Sequence, residues 1–219
     1  MGIQGIVFDL DGTLIDTKDY WNEENRKWLE IVLNRKVAEK EVDACWGVSF
    51  KNIFKSYNVP QEQIVEIIKK RDENFSNNFH KLRLFDGTES TLKKLKSKGL
   101  KIGLLSNNRK AVLDKLTYYF GIKKYFDIII GDEISRKPDP AGLLKVMEVL
   151  HLKKNNILYV GDTETDRKTA KNAGIDCLML GKEIKNIGEI IDYICKKPFL
   201  NPSSQYELWP SQKKRLLKR

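Results

Sequence analysis

The sequence predicts an α/β protein: a doubly wound, parallel, five-stranded Rossmann-like core sheet with a helical segment inserted after its first strand. Three observations carry this. A short apolar run, Ile3 to Leu10, ends in turn residues. A stretch of about 65 residues, from Thr17 to about Leu82, has apolar residues at helical spacing and no convincing strand. After Phe85, short apolar runs alternate with helical segments, as in parallel sheets built by right-handed crossovers.

In chain order, the first strand is short, partly β-branched and bounded by turn residues, as a buried strand should be. Two helical stretches come next, WNEENRKWLEIVLNRKVAEK and PQEQIVEIIKKRDENFSNNFHKL, the second with Ile64, Ile67, Ile68 and Phe75 on one face. The later helices each end at a glycine followed by an apolar residue: Gly99 in SKGL, Gly121 in YFGI and Gly174 in NAGI. That pairing closes a helix and packs the next residue back on its last turn. The strands between them are KIGLLS, FDIII, ILYV and DCLML. Asp139-Pro140 reads as an N-cap followed by a first-turn proline. The segment from Pro198 to Arg219, with three prolines and a basic end, reads as an extended arm, with Leu208-Trp209 as a docking point. The expected domains are thus 1–16 and 83–197 for the core, 17–82 for the insertion and 198–219 for the arm.

Composition fits a soluble globular chain of 219 residues, 41% hydrophobic and 32% charged. No apolar run approaches the roughly 18 residues of a membrane span, and MGIQGIVFDLDG lacks the features of a signal peptide. Cys45, Cys177 and Cys195 are odd in number and far apart, which suggests neither a disulfide framework nor a zinc site. A cytoplasmic protein, monomer or homodimer, is expected. The net charge of +10, with nine Lys/Arg against four Asp/Glu from Lys182 onward, suits anionic partners, although surface lysines that only aid solubility are the better account of charge alone.

Ligands of open parallel sheets bind beyond the carboxyl ends of the strands. Asp9, Asp11 and Thr13 follow the first strand; Ser106 and Asn107 follow KIGLL; Lys137 comes after FDIII; Asp162 and Asp166 follow ILYV. Taken singly, each has an ordinary explanation as a turn, a cap or a solvated side chain. Together they place four acids, a lysine and a hydroxyl on one rim. Clustered carboxylates repel unless a cation lies among them, and an all-oxygen set shared with a phosphate suits Mg²⁺. One carboxylate can attack phosphorus, and a second two residues on can move protons to and from the leaving and attacking oxygens. Gly12 permits the sharp turn that aims both at one point.

These motifs resemble those of the haloacid dehalogenase-like phosphatases, in the branch that includes phosphoglycolate phosphatase. The resemblance rests on DLDGTLID (9–16), LLSN (104–107), Lys137 in RKPDP and GDTETD (161–166), within 3–16 and about 85–180. It implies Asp9 as nucleophile and Asp11 as general acid/base. Mg²⁺ would be held by Asp9, Asp11 through its backbone carbonyl, and Asp162, with Asp166 supporting. Thr13, Ser106, Asn107 and Lys137 would serve the phosphoryl group, Ser106 and the Asn107 backbone by binding its oxygens, Lys137 by steadying phosphate and nucleophile, and Thr13 by orienting the acid. The dehalogenases of the family lack an acid two residues after the nucleophile, so Asp11 argues for phosphate chemistry. The insertion, 17–82, is similar to the family's substrate-selecting cap domain. Gly47 and Lys51 in WGVSFKNIF are weak candidates for substrate contact there, Lys51 reading better as an ordinary surface lysine. Trp21, Trp28 and Trp46 read as cap core.

The implied activity is Mg²⁺-dependent hydrolysis of a small phosphorylated metabolite, phosphoglycolate-like or a nucleotide monophosphate, through an aspartyl-phosphate. A phosphomutase on the same core is one alternative. Another is a protein that binds nucleic acid through KKRLLKR, against which stands the lack of any RNP, KH or helix-turn-helix signature. No P-loop is present; His80 and His151 read as surface residues; and Cys45 lacks the arginine of a cysteine phosphatase.

Overall fold

The computed structural model describes residues 2–196; the proposed arm, 198–219, lies outside them. The five expected strands form one parallel sheet. They are β1 (Gly5–Phe8), β4 (Lys101–Leu105), β5 (Ile128–Ile130), β6 (Ile157–Gly161) and β7 (Asp176–Met179), in the order β5-β4-β1-β6-β7. The first strand is shorter than the apolar run, because Leu10 and Asp11 already belong to the turn after it.

Alternation along the strands divides the core into two layers. Ile6, Phe8, Leu158 and Val160 face one layer, and Val7, Ile157 and Tyr159 the other. The first layer is closed by α5 (Thr88–Ser97), α6 (Lys110–Tyr119) and α9 (Glu189–Lys196), through Leu92, Leu113 and Ile190. The second is closed by α7 (Ala141–Leu150) and α8 (Glu164–Ala173), through Val146 and Ala170. With both faces covered, β1 and β6 are buried along their whole length. Gly99, Gly121 and Gly174 take the positive φ their helix-closing place requires. Helix α7 starts one residue later than expected: Pro140 is the cap, and Asp139 accepts a hydrogen bond from the Ala141 amide at 2.8 Å.

Four helices fill the inserted segment: α1 (Lys18–Leu33), α2 (Glu39–Asp43), α3 (Phe50–Ser56) and α4 (Gln61–Asn77). They share an apolar cluster of their own, including Leu29, Phe54, Ile64 and Ile67. The first helical stretch is broken at Asn34, which takes a left-handed conformation with φ 48°. Where the segment leaves and rejoins the core, β2 (Ile15–Asp16) pairs antiparallel with β3 (Arg83–Leu84). This pair, clasped by an Arg83–Asp16 ion pair at 2.7 Å, was not anticipated, since two-residue strands have no readable period. Tyr20, Trp21, Phe75 and Phe79 pack into the core layer above the sheet edge, so the helical segment is seated on the core. No helix of the described residues is long and apolar enough to cross a membrane.

Candidate active site

The strand order puts β1 between β4 and β6, so the loops leaving these three strands meet at one rim. Asp9 comes directly after β1, and its amide still donates to Val160 at 2.8 Å, so the carboxylate stands at the sheet edge. It is 4% exposed. Lys137 Nζ lies 2.7 Å from Asp9 Oδ1 and 2.6 Å from Asp166 Oδ1, bridging the two. Asp166, fully buried, also accepts from the Tyr159 hydroxyl at 2.9 Å through Oδ1. Its Oδ2 accepts from the Thr163 amide at 3.0 Å and the Thr163 hydroxyl at 2.6 Å. These four donors occupy its lone-pair directions. Asp166 therefore acts on Lys137 and on the start of α8, in keeping with a supporting place rather than a direct ligand's.

Asp9, Asp162 and Asp166 each present an oxygen within 4.8 Å of the others. Carboxylates so close, with Asp9 and Asp166 buried and Asp162 half-buried, favour a hard cation among them, and the all-oxygen donor set fits Mg²⁺. The electrostatics agree. Burial, then the Asp166 carboxylate, push Asp9 well above the usual range, against Lys137. Asp162 is pushed up to about 6, again by burial first and Asp166 second. Burial works against charge on Asp166 too, but Lys137 and Thr163 outweigh it and hold that carboxyl below the usual range. Burial would likewise discharge Lys137, yet Asp166 and Asp9 keep its ammonium well above its ordinary value. The site holds more negative charge than one lysine balances.

Asp11 faces away from this cluster. Its Oδ1 accepts from the Trp21 indole at 3.0 Å, and its Oδ2 from the Asn108 amide at 2.7 Å and the Ser106 hydroxyl at 3.4 Å. Its side chain is therefore not a metal ligand here, which leaves the backbone carbonyl as its route to an ion. Gly12 makes the turn with φ +76°; a Cβ there would fall 2.4 Å from Asp162 Oδ2 and 2.9 Å from the Trp46 ring. Both the conformation and the space require glycine.

Asp9, Asp11, Ser106, Asn107 and Lys137 all line one cavity of about 150 Å³, walled opposite by the inserted helices. Gly47 lines it as well. Lys51 does not: it sits on α3 outside the wall, as a surface lysine would. Thr13, fully buried and absent from the wall, donates to Asp162 Oδ1 at 3.2 Å, so the acid it reaches is Asp162 rather than Asp11. The Asn107 side chain accepts from the Lys137 amide at 2.7 Å and fixes the lysine loop. His80 and His151 are exposed.

Several cavity residues went unrecognised in the sequence. Trp21 and Trp46, read as cap core, line the cavity, while Trp28 packs against the apolar cluster of the inserted helices. Arg71, Asn25 and Asn108 had no motif around them. Asn108 comes directly after LLSN and was within reach of a longer motif; Arg71, inside a run of charged helix residues, carried no local signal.

The sequence matches the family described as haloacid dehalogenase-like hydrolase over residues 6–180. It is 35% identical over 175 residues to a Clostridium perfringens protein provisionally named pyrophosphatase PpaX, covering 78% of this chain and 81% of that one. It is 30% identical to the phosphoglycolate phosphatase of Aquifex aeolicus, covering 88% and 92%. Among solved structures, a haloacid dehalogenase-like hydrolase of Bacteroides fragilis superposes with a TM-score of 0.77 at 24% identity, over 86% of this chain and 99% of that one. This chain belongs to the haloacid dehalogenase-like hydrolases, as a phosphatase of that superfamily.

Proposed function

We propose that the chain is a Mg²⁺-dependent phosphatase that cleaves a small phosphorylated metabolite through an aspartyl-phosphate on Asp9. One observation carries this reading. A buried carboxylate is held against a lysine ammonium at 2.7 Å, in the same cavity as a second carboxylate two residues on.

In the first half-reaction an Asp9 oxygen attacks phosphorus, the bond from phosphorus to the leaving oxygen breaks, and Asp11 gives that oxygen a proton. In the second, Asp11 takes a proton from water, whose oxygen displaces Asp9 and releases inorganic phosphate. Lys137 screens the charge on Asp9 and holds a phosphoryl oxygen, while Ser106 and the Asn107 backbone hold others. Mg²⁺, held by Asp9, Asp162 and the Asp11 backbone carbonyl, would neutralise the phosphoryl charge that otherwise repels the nucleophile. The three donors around Asp11 leave it only accepting hydrogen bonds, the arrangement from which the second half-reaction starts.

Residues 17–82 act as a cap in this reading. Support comes from their separate apolar cluster, the β2–β3 neck and their share of the cavity wall. The names of the relatives put pyrophosphate and phosphoglycolate among the candidate substrates, beside nucleotide monophosphates. Three unpaired cysteines accord with a cytoplasmic setting. The test is phosphate release from a panel of these compounds, with and without Mg²⁺, beside Asp9→Asn. Mg²⁺-dependent release lost in the variant supports the reading; release that survives the substitution refutes it.

A further inference from the structure

The cap wall of the cavity holds a cation with no ion-pair partner among the described residues. Arg71, on α4, has its guanidinium carbon 4.0 Å from the ring centroids of both Trp21 and Phe50. Two aromatic faces fix the plane of the group and leave its donors free. Its Nε is buried without a hydrogen-bond partner, and among the described residues no carboxylate lies within 4.0 Å of it. The acids whose charge it feels most are already engaged. Asp72 pairs with Arg109 at 2.7 Å, and Glu24 accepts from Asn74 at 2.6 Å and Trp28 at 3.1 Å. Burial lowers Arg71 to about 10, so it stays cationic at neutral pH. In the same wall Asn25 is 4% exposed, and its acceptor Oδ1 has no partner among the described residues.

A guanidinium Nε that is buried and unpaired is costly unless a ligand completes it. Arg71 lines the cavity that holds Asp9 and Asp11. We infer that Arg71 binds a second anionic group of the substrate, a few bonds from the phosphoryl group that Asp9 attacks. The inference rests on the phosphatase reading above and narrows it to short, doubly anionic substrates. A planar fork of N–H donors matches a carboxylate or a phosphoryl group equally.

The experiment compares pairs of substrates that differ in the second anion: phosphoglycolate against ethyl phosphate, and pyrophosphate against methyl phosphate. Wild-type enzyme with Mg²⁺ prefers the anionic member, and the pair with the larger preference tells carboxylate from phosphoryl recognition. Arg71→Met lowers that preference in kcat/KM by about 30-fold, chiefly through KM, as loss of a charge-assisted contact does. Arg71→Lys restores part of it. Should Arg71→Met not fold, Asn25→Asp, which places a negative charge in the same wall, lowers the same ratio. An unchanged preference, or an equal loss across each pair, overturns the inference. If the wild type releases phosphate from no compound, the phosphatase reading fails by itself. Calorimetric binding of phosphoglycolate then decides the subsite: dependence on Arg71 upholds it, and independence overturns it.

Discussion

The indole N–H of Trp21, from the first helix of the inserted segment, donates to Asp11 Oδ1 in the core at 3.0 Å. The same ring lies 4.0 Å from the Arg71 guanidinium carbon on its face. One side chain therefore joins the proposed proton-transfer residue to the cationic wall of the cavity.

Trp21→Phe keeps most of the packing and removes the donor. We expect kcat to fall by about tenfold, the size of one lost hydrogen bond to a charged group, with a small effect on stability. An unchanged kcat would show that the indole only packs.

Asp11→Asn slows loss of the leaving group, and most strongly for poor leaving groups. The kcat ratio of wild type to variant should be about tenfold or more larger for an alkyl phosphate than for p-nitrophenyl phosphate, within the usual range of general acid catalysis. A uniform loss across leaving groups would remove Asp11 as the acid.

Lys137→Met leaves Asp9 and Asp166 facing each other without the ammonium now 2.7 and 2.6 Å away. Breaking a buried pair from one side costs about 3–5 kcal/mol. The metal-free variant should show a clear drop in Tm, partly recovered by Mg²⁺. A Tm equal to wild type would mean that the carboxylates are not both charged when Lys137 is present.

Asp162 sets a pH window. An unfolded Asp titrates near about 3.9, and the folded group is pushed up to about 6 by burial and Asp166. Between these values the folded protein binds the extra proton, so this group favours folding below about 3.9, and its contribution fades as pH rises through 6. A cation needs the ionised carboxylate and opposes this loss. The Tm rise caused by saturating Mg²⁺ should thus be small at low pH and reach about 5 °C or more above the window. A rise independent of pH would detach Asp162 from the metal.

Gly12→Ala tests the turn itself. With φ +76° and a Cβ 2.4 Å from Asp162 Oδ2, the alanine displaces the acid or the loop. Activity should fall by at least about 100-fold, given what small misplacement costs at reacting atoms. Circular dichroism should stay near native. Near-normal activity would show that the loop has room to move.

The sheet and the rim acids were legible in the sequence for a physical reason. Buried parallel strands are short apolar runs, and the residues just past each run fall at the rim, so Asp9, Ser106, Lys137 and Asp162 could be placed from chain position alone. Roles set by side-chain direction were not legible. Thr13 turned to Asp162 and Asp11 to Trp21, and nothing local encodes either. The inserted segment was less legible, because helical periodicity marks which residues are buried without saying which neighbour buries them. Arg71 and Trp21 lie 50 residues apart and meet only through packing of α4 on α1. The break at Asn34 has no proline or glycine to announce it.

The most direct test of the aspartyl-phosphate route is to quench turnover with acid and locate the phosphoryl group by peptide mass spectrometry. The wild type should yield a phosphorylated aspartate at Asp9, and Asp9→Asn should yield no such peptide. Turnover with no acyl-phosphate trapped at any time, or with the phosphoryl group on another residue, would contradict that route.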